Sequence, residues 1–389
     1  MSGPHAESLQ QTVGMVRRQA IGGPDLRYHG APVSLPPSRE AAAPAAIHSP
    51  AAAGPATGAA HRLETERVGA CPLCGSTATR TWRTDCRDWQ QPSAVDRFQY
   101  ERCSRCAARF LVVRPREAEL AKVYFTGYGP YQAAPEATPQ PPPVHPLAKA
   151  AALPLHAAGA ALGRSNRHRL ARRLDAVYTP EAQGETLLDY GCGAPTFLDG
   201  ARQRGWTTVG VDFATDVVEA VRAGGHGAFL VGEELDRNVT DASVSCVRMN
   251  HVIEHLYHPR EALSAIRGKL RPGGRIHIST PNPASLGSRA LRRRWHALDC
   301  PRHVILYQPR VLRRLLEELG FRDIAIEHEV GPKDLTRSWG IVLYDRGRIA
   351  HEQIAAMAAD GPRSGLLLPI AGVGAMVGAA DRFHVFARA

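Results

Sequence analysis

Thr186-Leu187-Leu188-Asp189-Tyr190-Gly191-Cys192-Gly193-Ala194-Pro195-Thr196-Phe197-Leu198 decides the fold. A short apolar run closes on an acid, two glycines stand a residue apart, and an amphipathic pattern follows. This reads as a buried strand, a tight turn and the first turn of a helix. Gly191 and Gly193 carry no Cβ, so the turn can take positive φ and a ligand can approach its amides. Thr207-Thr208-Val209-Gly210-Val211-Asp212 reads as a second strand that also ends in an acid. Asp212 lies 21 residues after Gly191, close to the roughly 20-residue spacing at which a nucleotide-binding fold places its ribose-binding carboxylate.

Alternation of strand and helix continues downstream, which predicts a doubly wound α/β sheet. A helix is expected over 214–223, a third strand near 228–231, and a fourth over 243–249. Pro259 to Leu270 has helical spacing and is stopped by Arg271-Pro272-Gly273-Gly274. A fifth strand (275–280), a helix (309–320), a sixth strand (321–330) and an antiparallel seventh (383–388) complete the pattern.

The chain of 389 residues is long enough for two or three domains. Its 44% apolar and 22% charged residues are those of a soluble globular protein. The net charge of +11 favours acidic partners. Two basic clusters, Arg164, Arg167, Arg169, Arg172 and Arg173, then Arg289, Arg292, Arg293 and Arg294, read as solvated helix faces, since only Trp295 interleaves them with an aromatic. Nucleic acid is therefore not the expected partner. No apolar N-terminal run marks a secretory signal, and a reducing cytoplasm is the expected compartment.

Residues 1–65, rich in Ala, Pro and Gly, read as a disordered tail. Residues 66–129 then form a cysteine module. Cys71-Pro72-Leu73-Cys74 and Cys103-Ser104-Arg105-Cys106 are separated by 28 residues. Two C-x2-C knuckles can hold one structural Zn²⁺ tetrahedrally, and four thiolates leave no position open for water. Cys86 lies outside both knuckles and is expected to be a spare thiol. Prolines crowd residues 130–146, which read as an extended linker, and 147–389 hold the α/β domain. Within it, 331–380 form an apolar insertion whose stretch 365–380 is broken by Pro369. A spanning helix needs about 20 apolar residues, so this stretch is expected to cover the site or to touch a membrane surface.

The glycine turn and its following acid resemble motif I of the class I S-adenosylmethionine-dependent methyltransferases. The resemblance implies a Rossmann-like, seven-stranded methyltransferase sheet with S-adenosylmethionine as cofactor. By it, Asp189, Gly191, Cys192 and Gly193 line the methionine moiety, Asp212 binds ribose, Phe213 flanks adenine, and Asn250 stands on the cofactor side. The family usually has a third glycine where this chain has Pro195, which suits a first helical turn. Glu233 or Glu234 is expected to meet the adenine amine. Asn250-His251-Val252-Ile253-Glu254-His255-Leu256 is similar to a box of the ubiquinone-biosynthesis type of O-methyltransferase, and a zinc ribbon followed by a Tyr-rich bridge (124–131) also resembles an arrangement in bacterial methyltransferases.

Transfer of a methyl group to oxygen needs an acceptor stripped of its proton, so a His or Glu within hydrogen-bond reach can serve as base. His251, Glu254, His255 and, from Trp295-His296-Ala297-Leu298-Asp299-Cys300-Pro301-Arg302-His303, His303 are the candidates; Arg302 is the candidate for an anionic acceptor. His251, Glu254 and His255 are also where related O-methyltransferases hold a divalent metal. The His-x-x-Glu-His wording of the inverted zinc peptidases requires a helix, whereas here the motif follows a strand. The expected acceptor is a small molecule: a saccharide, a quinone or lipid precursor, or a secondary metabolite. Two other readings compete, an RNA methyltransferase and a non-enzymatic zinc-ribbon interaction protein without cofactor.

Overall fold

Short strands with alternating burial come first. The computed structural model describes residues 62–91, 94–124, 142–358 and 361–389; the tail and most of the 130–146 linker fall outside the described residues. β1 (Thr65–Arg67) pairs with β5 (Val113–Pro115). Between them, β2 (Thr79–Cys86), β3 (Phe98–Cys103) and β4 (Arg109–Leu111) form an antiparallel sheet that buries Tyr100 and Leu111 on one face and Phe110 on the other.

The large sheet follows. β6 (Thr186–Tyr190), β7 (Thr207–Asp212), β8 (Gly227–Leu230), β9 (Val244–Asn250) and β10 (Leu270–Pro281) are parallel. β11 (Ile305–Leu306) leaves this sheet, and β12 (Arg322–His328) and β13 (Arg382–Arg388) return to it. The order is β12-β13-β10-β9-β6-β7-β8, with β13 antiparallel to both neighbours. The seven strands and the antiparallel last one agree with the sequence reading. The Pro-Gly-Gly segment differs: it does not end before β10 but is absorbed into it as an irregularity between Leu270 and Arg275. Chain order reverses between β6 and β9, so the crevice beyond their carboxyl ends is where an open α/β sheet takes its ligand.

The cysteine module is no separate bead. β11 adds to the small sheet, Ile305 opposite Phe110 and Leu306 opposite Arg109. Tyr100 donates its hydroxyl to the His303 carbonyl at 2.7 Å, and Phe98, Tyr100 and Phe110 share one buried cluster with Trp295, Leu298, Val304 and Leu306.

Two helices, Pro146–Leu162 and Arg164–Tyr178, precede β6. The first packs along Pro362–Met376. Small residues permit this closeness: a Cβ on Gly159 would stand 2.5 Å from Leu368 and Pro369 backbone, and one on Gly365 2.7 Å from the Ala152 carbonyl. Among the described residues no helix is long and apolar enough to cross a membrane.

Candidate active site

The apolar β6 delivers the glycine turn to the switch point. Gly191 and Gly193 both have positive φ, 75° and 52°, which a side chain disfavours. A Cβ on Gly191 would stand 2.4 Å from Val252 Cγ2, whereas the space beside Gly193 is open. Pro195 has φ −69° and the helix Thr196–Gln203 begins just after it, so the missing third glycine is accommodated.

Asp212 ends β7 directly opposite this turn. Its Oδ2 accepts from the Gly193 amide at 3.1 Å, and its Oδ1 from the Phe213 and Ala214 amides at 2.9 and 3.2 Å. Burial pushes the Asp212 carboxyl up, and these three donors pull the other way. Phe213 stands 44% exposed at the rim, its ring 5.5 Å from that of Tyr124.

Two residues expected at the methionine moiety are otherwise engaged. Asp189 is fully buried, and Arg248 on β9, its direct neighbour in register, donates to both of its oxygens at 2.7 and 2.9 Å. Burial still raises the Asp189 carboxyl to about 6 against that pairing. The Cys192 thiol turns inward, since a Cβ on Gly210 would meet its Sγ at 2.9 Å; its backbone alone belongs to the turn. Glu233 and Glu234 also point back on their own segment. Glu234 accepts from the Leu230 amide and Arg222, and Glu233 pairs with Arg237.

Beyond β9 and β10 lies the second half of the site. Asn250 lies opposite Ser279 on β10, and the His251 amide donates to the Ser279 carbonyl at 2.9 Å. His251 itself has φ 57°, a conformation that costs a non-glycine residue of order 1–3 kcal/mol. Its Nε2 lies 3.1 Å from Arg382 Nη1 and its Nδ1 3.2 Å from Glu254 Oε1. Since a guanidinium only donates, Nε2 accepts and Nδ1–H donates to Glu254. Arg382 is fixed in turn by two bonds to buried Asp334, at 2.6 and 3.0 Å.

Glu254 is completely buried at the short helical turn Ile253–His255. Thr280 donates to its Oε2 at 2.8 Å, and His303 Nε2 lies 3.8 Å from its Oε1. Burial pushes this carboxyl up, but the His251 bond and the nearby His303 and His255 outweigh it and hold it at about 2. The His303 Nδ1 lies 3.0 Å from the Ala297 carbonyl; that nitrogen must donate, which leaves the Nε2 lone pair turned toward Glu254. Burial lowers His303 and, with the charge of His303, lowers His255 to about 4. His255 Nδ1 meets the Tyr124 hydroxyl at 2.7 Å and lies 3.1 Å from the Arg302 carbonyl. Of the four predicted catalytic side chains, Glu254, His255 and His303 converge with ligand atoms within 4.8 Å of one another. His251 joins them through Glu254.

Arg302 is not an anion receptor. Its guanidinium is buried, with Nη1 2.8 Å from Asp88 Oδ2 and Nε 3.0 Å from Asp299; it ties the cysteine module to the site. Arg248, Thr280 and Arg382 were missed by sequence reasoning. A lone arginine within Val244-Ser245-Cys246-Val247-Arg248-Met249 was the available signal, because a charge on a central strand needs a buried partner.

At the knuckles, Cys71 and Cys106 Sγ lie 3.5 Å apart and Cys74 and Cys103 Sγ 3.6 Å, near the roughly 3.8 Å edge of a tetrahedron with 2.3 Å bonds. Gly75 and Ala107, each following a knuckle, have φ 68° and 66°, and the Cys106 amide points at Cys103 Sγ. Cys86 is buried apart from them, and burial pushes its thiol up to about 12.

Residues 162–326 match a family described as a methyltransferase domain. A probable S-adenosylmethionine-dependent methyltransferase of Mycolicibacterium smegmatis is 30% identical over 222 residues, 54% of this chain and 80% of that protein. A ubiquinone biosynthesis O-methyltransferase of Idiomarina loihiensis is 28% identical over 158 residues, 37% of this chain and 64% of its own length. An uncharacterized 37.1 kDa transposon protein of Streptomyces fradiae is 34% identical over 110 residues; the chain spans only 32% of that protein. With the glycine turn facing Asp212 at the carboxyl ends of β6 and β7, the chain belongs to the S-adenosylmethionine-dependent methyltransferase family.

Proposed function

We propose that the chain methylates an oxygen of a small-molecule acceptor, with His303 as general base. The observation that carries this is the buried Glu254–His303 pair, whose His303 lone pair is directed by the Ala297 carbonyl. S-adenosylmethionine supplies a sulfonium methyl when bound. Gly191, Gly193 and Asp212 hold that cofactor, with Phe213 and Tyr124 at its adenine edge. His303, lowered by burial and so neutral at pH 7, takes the acceptor's proton on Nε2. Glu254, ionised throughout, stabilises the imidazolium as it forms, and Thr280 and His251 keep the carboxylate in place. Positioning in near-attack geometry supplies much of the remaining acceleration. The O-methyltransferase name of the Idiomarina relative supports oxygen as the acceptor atom.

Incubation with methyl-labelled S-adenosylmethionine and hydroxylated acceptors of the saccharide, quinone or lipid-precursor and secondary-metabolite classes tests this. Label on oxygen, abolished by His303→Gln, is expected; label on nitrogen or carbon would overturn the oxygen assignment. Label in RNA, with affinity falling steeply in salt, would replace the small acceptor altogether.

A second reading rests on the same cluster: Glu254, His255 and His303 would hold a divalent metal that lowers the acceptor's pKa. Metal analysis separates the two, since this reading requires an equivalent beyond the zinc of the knuckles that His255→Ala removes. For Cys71, Cys74, Cys103 and Cys106 we propose a structural Zn²⁺, bound through four thiolates with no catalytic position.

Contact with a membrane surface is proposed for the helix pair Pro146–Leu162 and Pro362–Met376. Leu147 and Leu153 are 75% and 78% exposed on the first helix, and Ile370, Val373 and Met376 are exposed on the second. Neither 142–174 nor 361–380 contains an Asp or Glu, which favours an anionic surface. Co-sedimentation with phosphatidylglycerol vesicles, lost in Leu147→Ser/Leu153→Ser, is the expected result.

A further inference from the structure

One face of the small sheet carries a row of arginines. Arg80, Arg102 and Arg109 are directly opposed on β2, β3 and β4, so their side chains share a face, an arrangement that destabilises a sheet when like charges meet. The carboxylate on the middle strand does not relieve it: Glu101 pairs with Phe110 in register, on the opposite face, and bonds to Thr79 there. Arg109 is only 6% exposed, and its Nε and Nη1, like Nε of Arg102, have no hydrogen-bond partner among the described residues. A buried guanidinium with unmet donors is costly. The groups that bear on Arg109 worsen this. Burial first, then Arg102, Arg83, Arg310 and Arg289, push it down to about 9, and no carboxylate is among them.

Two of these arginines border open space. Arg289 and Arg310, with Ala284, Gln308 and Pro309, line a recess of about 390 Å³. Leu306 is opposite Arg109, so the segment running on to Gln308 and Arg310 leads from the row to the recess. Arg310 Nε donates to Gln308 Oε1 at 3.0 Å, and the Arg83 and Arg109 guanidinia stand 4.2 and 4.9 Å from the Trp82 ring centroid. Planar, always-charged forks with no carboxylate partner among the described residues suit a multivalent oxyanion.

We propose that Arg102, Arg109, Arg289 and Arg310 form a binding site for a phosphate ester or diphosphate, at the seam between the cysteine module and the α/β domain. The site is distinct from the cofactor turn and from Glu254, and it does not depend on which atom the enzyme methylates. The competing structural role for Arg109 is to neutralise metal-bound thiolates of the knuckles.

Thermal unfolding of the zinc-loaded full chain with inorganic pyrophosphate, against sodium chloride at equal ionic strength, tests the site. A saturable rise in Tm is expected with pyrophosphate alone. Arg289→Gln/Arg310→Gln, both at exposed positions, should raise the half-saturating concentration at least fivefold. Arg109→Met should raise the ligand-free Tm, abolish the pyrophosphate shift and leave the zinc content unchanged. Uridine diphosphate distinguishes the sources: half-saturation equal to that of pyrophosphate marks a free anion, and tighter binding marks an esterified ligand. A shift equalled by chloride, a shift intact in Arg289→Gln/Arg310→Gln, or an Arg109→Met chain that loses zinc would each overturn the proposal.

Discussion

Glu254 stays ionised in a buried site because His251 donates to it and His303 faces it. Glu254→Gln keeps the shape and the Thr280 contact but removes the charge that stabilises the imidazolium. Its kcat should fall about 10²- to 10⁴-fold, with affinity for S-adenosylmethionine unchanged, as measured by steady-state kinetics beside calorimetry. The pH dependence has a definite sign. The His303 pKa is depressed by burial, so the neutral base persists below pH 6.5; kcat/KM should be level above that pH and fall only on further acidification. Stability follows the same direction. His255, depressed to about 4, favours folding above its unfolded pKa near 6.5, and that contribution is lost as pH falls toward 4. Melting temperature against pH should show this slope, and His255→Asn should reduce it.

Among the elements, strands and turns were legible where local chemistry decides them. Gly191, Gly193 and Pro195 announced the strand-turn-helix, and the acid of β7 appeared at its expected spacing. The ligand atoms of Glu254, His255 and His303 were legible by type, but their convergence was not, because it depends on β10 supplying Thr280 and on a segment 48 residues downstream of His255. Nor was the fate of Arg302, whose partner Asp88 lies 214 residues away. Asp88→Ala would leave a fully buried guanidinium with one carboxylate fewer, and should cost about 3–5 kcal/mol in denaturant unfolding. Gly159→Leu forces the side chain into the Leu368–Pro369 backbone and should cost about 1–3 kcal/mol, read in the same experiment.

Across the whole molecule, the cysteine module was recognisable from its knuckles, but its integration was not. A pairing as short as Ile305–Leu306 carries no sequence signal, yet it joins the small sheet to the chain that bears His303. Loss of the zinc proposed at the knuckles should therefore reach the candidate active site. A thiol-reactive chelator is expected to release zinc, lower the Tm of one cooperative transition and abolish turnover together; a separate early transition with activity intact would refute that coupling.

The proposed seat of the methyl donor is the open space beside Gly193 together with the Asp212 carboxylate. Calorimetric titration of the full chain and of Asp212→Ala with S-adenosylmethionine tests it most directly. One equivalent should bind the native chain, and removing a charged hydrogen-bonding group worth about 1.5–3 kcal/mol should weaken the variant roughly 10- to 150-fold. Absence of binding to the native chain, or equal affinity in the two proteins, would contradict it.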